Sequence, residues 1–391
     1  MINKTIRDIS LSGKTVLLRV DFNVPFNPGT SEIANLNRIV ASLPTIRYLI
    51  EQNASVVLCS HLGRPKGAFD KDLSLINILG KLQDLLGYPV SFESSLDFSE
   101  IKKNISKLRP KEVMLLENIR FYSEEESNDE AFSKKLASLA DIFVNDAFGV
   151  SHRPHSSVSG ITEWVPSVAG LLLEKEYISL GQIFETHAHP VAVILGGAKV
   201  SDKINIVKRL VDVVDRIFIG GGMCATFLKA NELEVGKSFV EEDFIDIAKE
   251  LISSTTLYVP IDVVVSDNFE DKSHNRICSV NDINPNEIIM DIGPKTRNLY
   301  IKGIDGSKTI FWNGPMGVYE WDDYSLGTRE IAAKLANEDF ISVIGGGSTV
   351  DAISKFGYGS RMTHISTGGG ASLEFLEGKT LPGLEPLINK D

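Results

Sequence analysis

Cysteine is scarce: Cys59, Cys224 and Cys278 are an odd set without C-x-x-C spacing, which excludes a disulfide framework and a zinc knuckle. No apolar run approaches the roughly 18 residues of a membrane span. The N-terminal MINKTIRDIS lacks the apolar stretch of a signal peptide, so a soluble, reducing, cytoplasmic setting is expected. Positive charge is also short: 40 Lys and Arg stand against 52 Asp and Glu, a net charge of -12. Nucleic-acid or anionic-membrane binding needs a basic face, so neither partner is expected. A local cluster of cations can still serve a small anionic substrate. A P-loop is missing as well: Gly13-Lys14-Thr15 has Asp8 where the first glycine must stand, and it precedes a strand instead of following one. The pairs His152/His155 and His187/His189 have no accompanying Cys or carboxylate set, which argues against a metal cage.

What is present is an ordinary globular composition, 43% hydrophobic and 24% charged, which excludes a disordered or fibrous chain. At about 150 residues per domain, 391 residues predict two domains. Two series of β-branched runs alternate with helical patterns. The first comprises 15–23, 55–61, 112–118 and 141–149; the second comprises 191–197, 216–222, 256–266, 309–315 and 340–347. Near-continuous apolar strands separated by helices mean parallel sheets covered on both faces. The expected fold is α/β: two doubly wound, Rossmann-like parallel-sheet domains joined by an interdomain helix and hinge. The predicted boundaries are 1–166, a helix over 167–184, 185–371, and a tail over 372–391 packing back across the junction. The acidic run 123–127 reads as a solvated loop.

Polar residues concentrate where strands stop, the place where open α/β sheets bind ligands. The first half puts Asp21 and Asn23, His61 and Arg64, Glu117, Asn118 and Arg120, and Asn145 and Asp146 there. Arg, His and Asn suit a small phosphorylated or carboxylated anion. The second half puts Gly196-Gly197-Ala198-Lys199, Gly220-Gly221-Gly222, Asn313-Gly314-Pro315 and Gly345-Gly346-Gly347 there, turns that can hold phosphates on backbone N–H groups. A structural reading competes for each, because tight turns need glycine in any case. Gly220-Gly221-Gly222-Met223-Cys224-Ala225 also satisfies G-x-G-x-x-A. The acidic residues about 20 positions on, Glu241 and Glu242, lie in a helical pattern rather than at a strand end, which weakens a dehydrogenase reading.

The strand-end motifs DFNVP (21–25), SHLGRP (60–65), LLENIRF (115–121), NDAFG (145–149), GGAKVSDKI (196–204), GGGM (220–223), WNGPMGVYE (312–320) and STGGGASLEFLEGK (366–379) together resemble the phosphoglycerate kinase family. The resemblance runs in order from near residue 15 to residue 380. It implies reversible transfer of a phosphoryl group between ATP and 3-phosphoglycerate, with 1,3-bisphosphoglycerate and ADP on the other side and Mg2+ as cofactor. By the same resemblance Asp21, Asn23, Arg38, His61, Arg64, Arg120 and Arg153 hold 3-phosphoglycerate. Lys199, Lys203, Gly220, Gly221, Asn313, Pro315, Glu320, Gly345, Gly346, Gly347, Ser348 and Thr349 line the nucleotide site, with Glu320 on the ribose. Catalysis falls to Arg38, Lys199, Lys203, Gly346 and Gly347. The family closes its two domains on a hinge, and a monomer is its default.

One departure stands out. After its third glycine the family usually carries an acidic residue that helps hold the metal–nucleotide; this chain has Ser348. A hydroxyl is a poor substitute for a carboxylate toward a hard cation, so the metal ligands are left open, with Asp351 able to act through a water. Ser348-Thr349-Val350-Asp351 also fits a capping box with Ser348 as N-cap. Ser348 motivates the alternative to an active kinase, a catalytically weakened relative that only binds nucleotide. Intact Arg38, Lys199 and Lys203 argue against that alternative.

Overall fold

The computed structural model describes residues 2–30, 32–270 and 274–388. The chain divides into two compact units, Met1–Tyr177 with Lys379–Asp391, and Ile178–Gly378.

The first unit holds a six-stranded parallel sheet of β1 (Thr15–Arg19), β2 (Ser55–Cys59), β3 (Val90–Glu93), β4 (Val113–Leu116), β5 (Ile142–Asn145) and β6 (Ser167–Ala169), in the order β3-β4-β2-β1-β5-β6. Its strands are apolar throughout because both faces are covered. Val16 and Leu18 of β1 with Val56 and Leu58 of β2 enter one core, whereas Leu17, Val57 and Cys59 enter the other. That is the period-two alternation of a strand, applied to two cores at once. The helix Asn37–Glu51 buries Ile39, Leu43, Ile46 and Leu49 on one face, leaving Arg38 in its first turn partly open.

The second unit has its own six-stranded sheet: β7 (Val191–Leu195), β8 (Arg216–Ile219), β9 (Leu257–Tyr258), β13 (Thr309–Asn313), β14 (Ile341–Gly345) and β15 (His364–Ile365), ordered β15-β14-β13-β7-β8-β9 and parallel throughout. The expectation of two parallel α/β sheets holds. A three-stranded antiparallel sheet, β11-β10-β12, was not expected; it comprises β10 (Asp262–Ser266), β11 (Asn275–Ser279) and β12 (Ile288–Ile292).

Three sequence expectations need correction. The run 256–266 is two strands, β9 and β10, in different sheets; Pro260 lies between them, with no N–H for a ladder and a fixed φ. The helix expected from 167 opens at Leu171, because Ser167–Ala169 pairs in parallel with β5. The helix Gly370–Leu376 runs straight across the boundary drawn at 371/372. Beyond it, Gly383 donates its N–H to Ser151 O (2.8 Å) and accepts from Asn145 Nδ2 (2.9 Å), which ties the tail into the first unit. Residues 389–391 of that tail lie outside the described residues.

Candidate active site

In each parallel sheet the connections from two neighbouring strands run to opposite sides, those of β1 and β5 in the first unit and those of β7 and β13 in the second. Such a divergence leaves a crevice at the carboxyl ends of the strands. The chain leaves β1 and β7 at Asp21 and Gly196, and the polar motifs follow from there.

In the first unit an arginine–histidine cluster forms around Asp21. Arg38 Nη1 pairs with Asp21 Oδ2 at 2.8 Å and donates to Asn23 O at 3.1 Å. Asn23 Oδ1 accepts from Gly63 N (2.9 Å), and Arg120 Nη1 donates to Gly63 O (2.9 Å). Arg120 Nε also pairs with Glu126 Oε1 at 3.1 Å. His61 is buried, with Nδ1 3.8 Å from Asp21 Oδ1. Burial first, then Arg19, Arg120, Arg38 and His155, hold its imidazole well below the usual histidine range, so it is neutral. Asp21, Asn23, Arg38, His61 and Arg120 therefore come together, while Arg64 and Arg153 stand exposed. Arg38, Arg64, Arg120 and Arg153 follow the ends of this sheet, and Asp21 and Glu126 offset only two of their charges, which suits a phosphate and a carboxylate.

Other strand-end polar groups proved to be scaffolding. Glu117 accepts from Ser74 Oγ (2.6 Å) and Leu75 N (2.9 Å), and Asn118 Nδ2 donates to Leu62 O and Leu73 O. Asp146 Oδ1 accepts from Leu172 N (2.8 Å) and Leu173 N (3.2 Å), fastening the helix Leu171–Gly181. The acidic run 123–127 is not a wholly solvated loop: Glu125 is 0% exposed, because Ser157 supplies it with hydrogen bonds. Sequence reasoning also missed Arg19, buried at the end of β1. An arginine inside the apolar run TVLLRV was the available signal, since such a charge is buried only with partners.

In the second unit three glycine turns interlock. Gly196 N donates to Asn313 O, Gly197 N to Pro315 O, Gly221 N to Met316 O, and Met223 N to Gly197 O, all at 2.9–3.0 Å. Lys203 is buried, with Nζ 3.3 Å from where a side chain on Gly197 would begin. Burial lowers its pKa, with Asp202 opposing. Lys199 is exposed, on a loop held by Glu241, whose Oε2 accepts from Val200 N (2.5 Å) and Ser201 N (3.0 Å). Glu320 is exposed, and its backbone oxygen accepts from Lys355 Nζ at 2.9 Å.

The helix Gly347–Lys355 opens directly after β14, with Gly346 (φ 84°) as its cap. Ser348 is thus already inside the first turn and makes no side-chain cap, which corrects the capping-box expectation. Thr349 is buried, and its Oγ1 accepts from Gly314 N (2.7 Å), so it braces one glycine turn against the next. The first N–H groups of a helix have no partner within it. Beside them Asn313, 3% exposed, has a buried Nδ2 without a hydrogen-bond partner. That nitrogen lies 3.0 and 3.1 Å from where side chains on Gly345 and Gly346 would begin. A buried amide donor left open beside a helix start calls for an anion.

Among the described residues no three of His, Cys, Asp and Glu group as a metal cage. Ser348 and Asp351 are both exposed on the helix that opens here. This donor set fits an ion that takes most of its ligands from phosphate oxygens and water.

The fold is a two-unit α/β protein with an arginine–histidine cluster at the end of one sheet and interlocked glycine turns at the end of the other. A family model described as phosphoglycerate kinase matches residues 6–379. A phosphoglycerate kinase of Clostridium botulinum is 47% identical over 395 residues, 99% of each chain. One of Dictyoglomus turgidum is 48% identical over 399 residues, 100% of each. Among solved structures, phosphoglycerate kinase from Coxiella burnetii superposes with a TM-score of 0.89 at 37% identity, and that from Pyrococcus horikoshii with 0.85 at 33%, each covering 98% of both chains. The chain belongs to the phosphoglycerate kinase family, and is an enzyme of phosphoryl transfer.

Proposed function

We propose that the chain reversibly transfers a phosphoryl group between ATP and the carboxylate of 3-phosphoglycerate, with the phosphoacid on the first unit and the nucleotide on the second. The observation that carries the nucleotide half is the open, buried Asn313 amide beside the start of the helix Gly347–Lys355. Asp21, Asn23, Arg38, His61, Arg64, Arg120 and Arg153 bind the phosphoacid. Lys199, Lys203, Gly220, Gly221, Asn313, Pro315, Glu320 and Gly345 through Ser348 serve the nucleotide, with Thr349 behind them as a brace.

The substrate's carboxylate oxygen attacks the γ-phosphorus of ATP, the bond to the β,γ-bridging oxygen breaks, and ADP leaves with that electron pair. No side chain acts as nucleophile; the protein orients the reactants and offsets charge on the transferring group. Arg38, Lys199, Lys203 and the N–H groups at Gly346 and Gly347 take that role. Mg2+ bound with the nucleotide would neutralise charge at the phosphate oxygens, taking most of its ligands from those oxygens and from water; on the protein side Asp351 would reach it through a water, with Ser348 standing where the family has its acidic residue. A net charge of -12 supports a small-molecule enzyme without nucleic-acid partners, and a monomeric, cytoplasmic enzyme without membrane partners is the reading the family resemblance favours. The weakened-binder alternative is not favoured.

The test is turnover of 3-phosphoglycerate with ATP across a magnesium series, in the wild type and in Ser348→Asp. Robust wild-type turnover, half-saturated at a lower magnesium concentration in Ser348→Asp, is expected. Absence of turnover in protein that binds both substrates would return the reading to the weakened binder, and equal magnesium dependence would remove Ser348 from the ion's surroundings.

A further inference from the structure

The buried Glu125 is used by nothing in the reaction as described, yet it is bonded toward the phosphoacid site. Its Oε2 accepts from Ser157 N (2.9 Å) and its Oε1 from Ser157 Oγ (2.6 Å). The single hydroxyl proton of Ser157 is thereby spent on Glu125, so Ser157 Oγ faces Arg19 as an acceptor; Arg19 Nε donates to it at 2.9 Å. Arg19 is 1% exposed, and its Nη1 donates to Val20 O. Its Nη2 lies 3.3 Å from His61 Nδ1.

A guanidinium has donors and no acceptor. His61 Nδ1 must therefore accept, and the proton of the neutral ring resides on Nε2. Asp21 Oδ1, at 3.8 Å from the same Nδ1, is beyond hydrogen-bond reach and does not compete. Beyond Asp21 the cluster continues to Arg38. A buried guanidinium without a counter-charge is costly, and Glu125 is the fully buried carboxylate bonded to it through Ser157.

We propose that Glu125, acting through Ser157 and Arg19, is a positioning residue that fixes His61 as its Nε2–H tautomer and so presents a neutral hydrogen-bond donor to the phosphoacid. The inference rests on the reading that His61 binds 3-phosphoglycerate. Without the carboxylate, the Ser157 hydroxyl is no longer held in place, the guanidinium loses its fixed direction, and Nδ1 loses its donor. Either ring nitrogen can then carry the proton.

The experiment uses the full chain with 15N-labelled histidine, in the wild type, Glu125→Gln and Ser157→Ala. Long-range 1H–15N correlations report which nitrogen of His61 is protonated, with the signals assigned through His61→Gln. The wild type is expected to show a bare Nδ1 and a protonated Nε2, and both variants a tautomer mixture. The KM for 3-phosphoglycerate rises about tenfold, the effect of misplacing one hydrogen-bond donor. The KM for ATP stays within about twofold, since uniform binding is lost only on the phosphoacid side. A merely structural role would lower stability without moving the tautomer. If Glu125→Gln fails to fold, Ser157→Ala, which removes one hydroxyl, carries the test. Unmoved nitrogen signals, or moved signals with an unmoved KM, overturn the proposal. A wild type that does not turn over 3-phosphoglycerate sinks the activity reading instead, and the nitrogen result still reports on Glu125.

Discussion

At Gly314 two constraints act on one residue. The backbone is left-handed (φ 98°), and a Cβ would stand 2.2 Å from the Gly196 oxygen and 2.8 Å from Gly197 N, both main-chain atoms. Gly306 shares the first constraint (φ 77°) with open space around it. Gly306→Ala should cost about 1 kcal/mol from backbone strain alone, and Gly314→Ala at least about 3 kcal/mol because packed backbone must also move. Urea titration of the two variants measures the difference; equal costs would mean the glycine turns do not support each other. For the chemistry, Arg38→Ala or Lys199→Ala should lower kcat by at least about 10²-fold, as for a lost donor to transition-state charge, with nucleotide affinity little changed. Single-turnover kinetics and nucleotide titration check this, and wild-type kcat in both would remove them from the charge-offsetting set.

The helix Leu171–Gly181 shows how an element is tied down at a cost in ionisation. Asp146 accepts its first N–H groups from inside the protein. Burial, the largest influence, pushes the Asp146 carboxyl from 3.8 up to about 7, against opposing hydrogen bonds from Thr45, Leu173 and Leu172. Asp291, which accepts from Ile292 N and Gly327 N in the second unit, is likewise pushed to about 7 by burial. A raised native pKa means the folded state keeps a proton that the unfolded chain has lost. The contribution of each group is therefore present below the unfolded pKa, falls as pH rises from about 4 to about 7, and stays lost above that. The urea midpoint of Asp146→Asn, followed from pH 4 to 8, should decline less steeply than that of the wild type. An unaltered slope would mean that Asp146 ionises freely in the folded state.

Each unit has its own sheet and cores, but only the second is continuous in sequence. The first needs its tail: Asn3 N donates to Leu387 O (2.8 Å), Ile2 bridges Ile388, and Asn145 holds Gly383. A polypeptide of residues 178–378 should therefore fold alone and take up nucleotide. Residues 1–177 alone should be less stable and regain order when 379–391 is supplied as a peptide. Dispersed amide NMR spectra report folding in each case. A well-dispersed spectrum of 1–177 that the peptide leaves unchanged would show the tail to be dispensable.

The sequence by itself determined the elements whose information is local. Alternating β-branched runs specify strands covered on both faces, and the polar motifs after those strands, with Asp21, His61, Lys203 and Asn313 among them, mark the two sheet ends proposed to bind. It could not say which glutamate of 123–127 goes inside, because the three in a row look alike until Ser157, 32 residues on, selects the middle one. Nor could it show that Arg19 would meet Ser157 across 138 residues. Asn145, Asp146 and Thr349 have side chains suited to a ligand, and tertiary contacts instead spend them on backbone. Ser348 fits an N-cap until the turn at Gly346 starts the helix before it. The physical reason is common to all of these. Apolar periodicity is read within a few residues, whereas a buried polar group is placed by hydrogen-bond partners that only the folded chain brings within 3 Å.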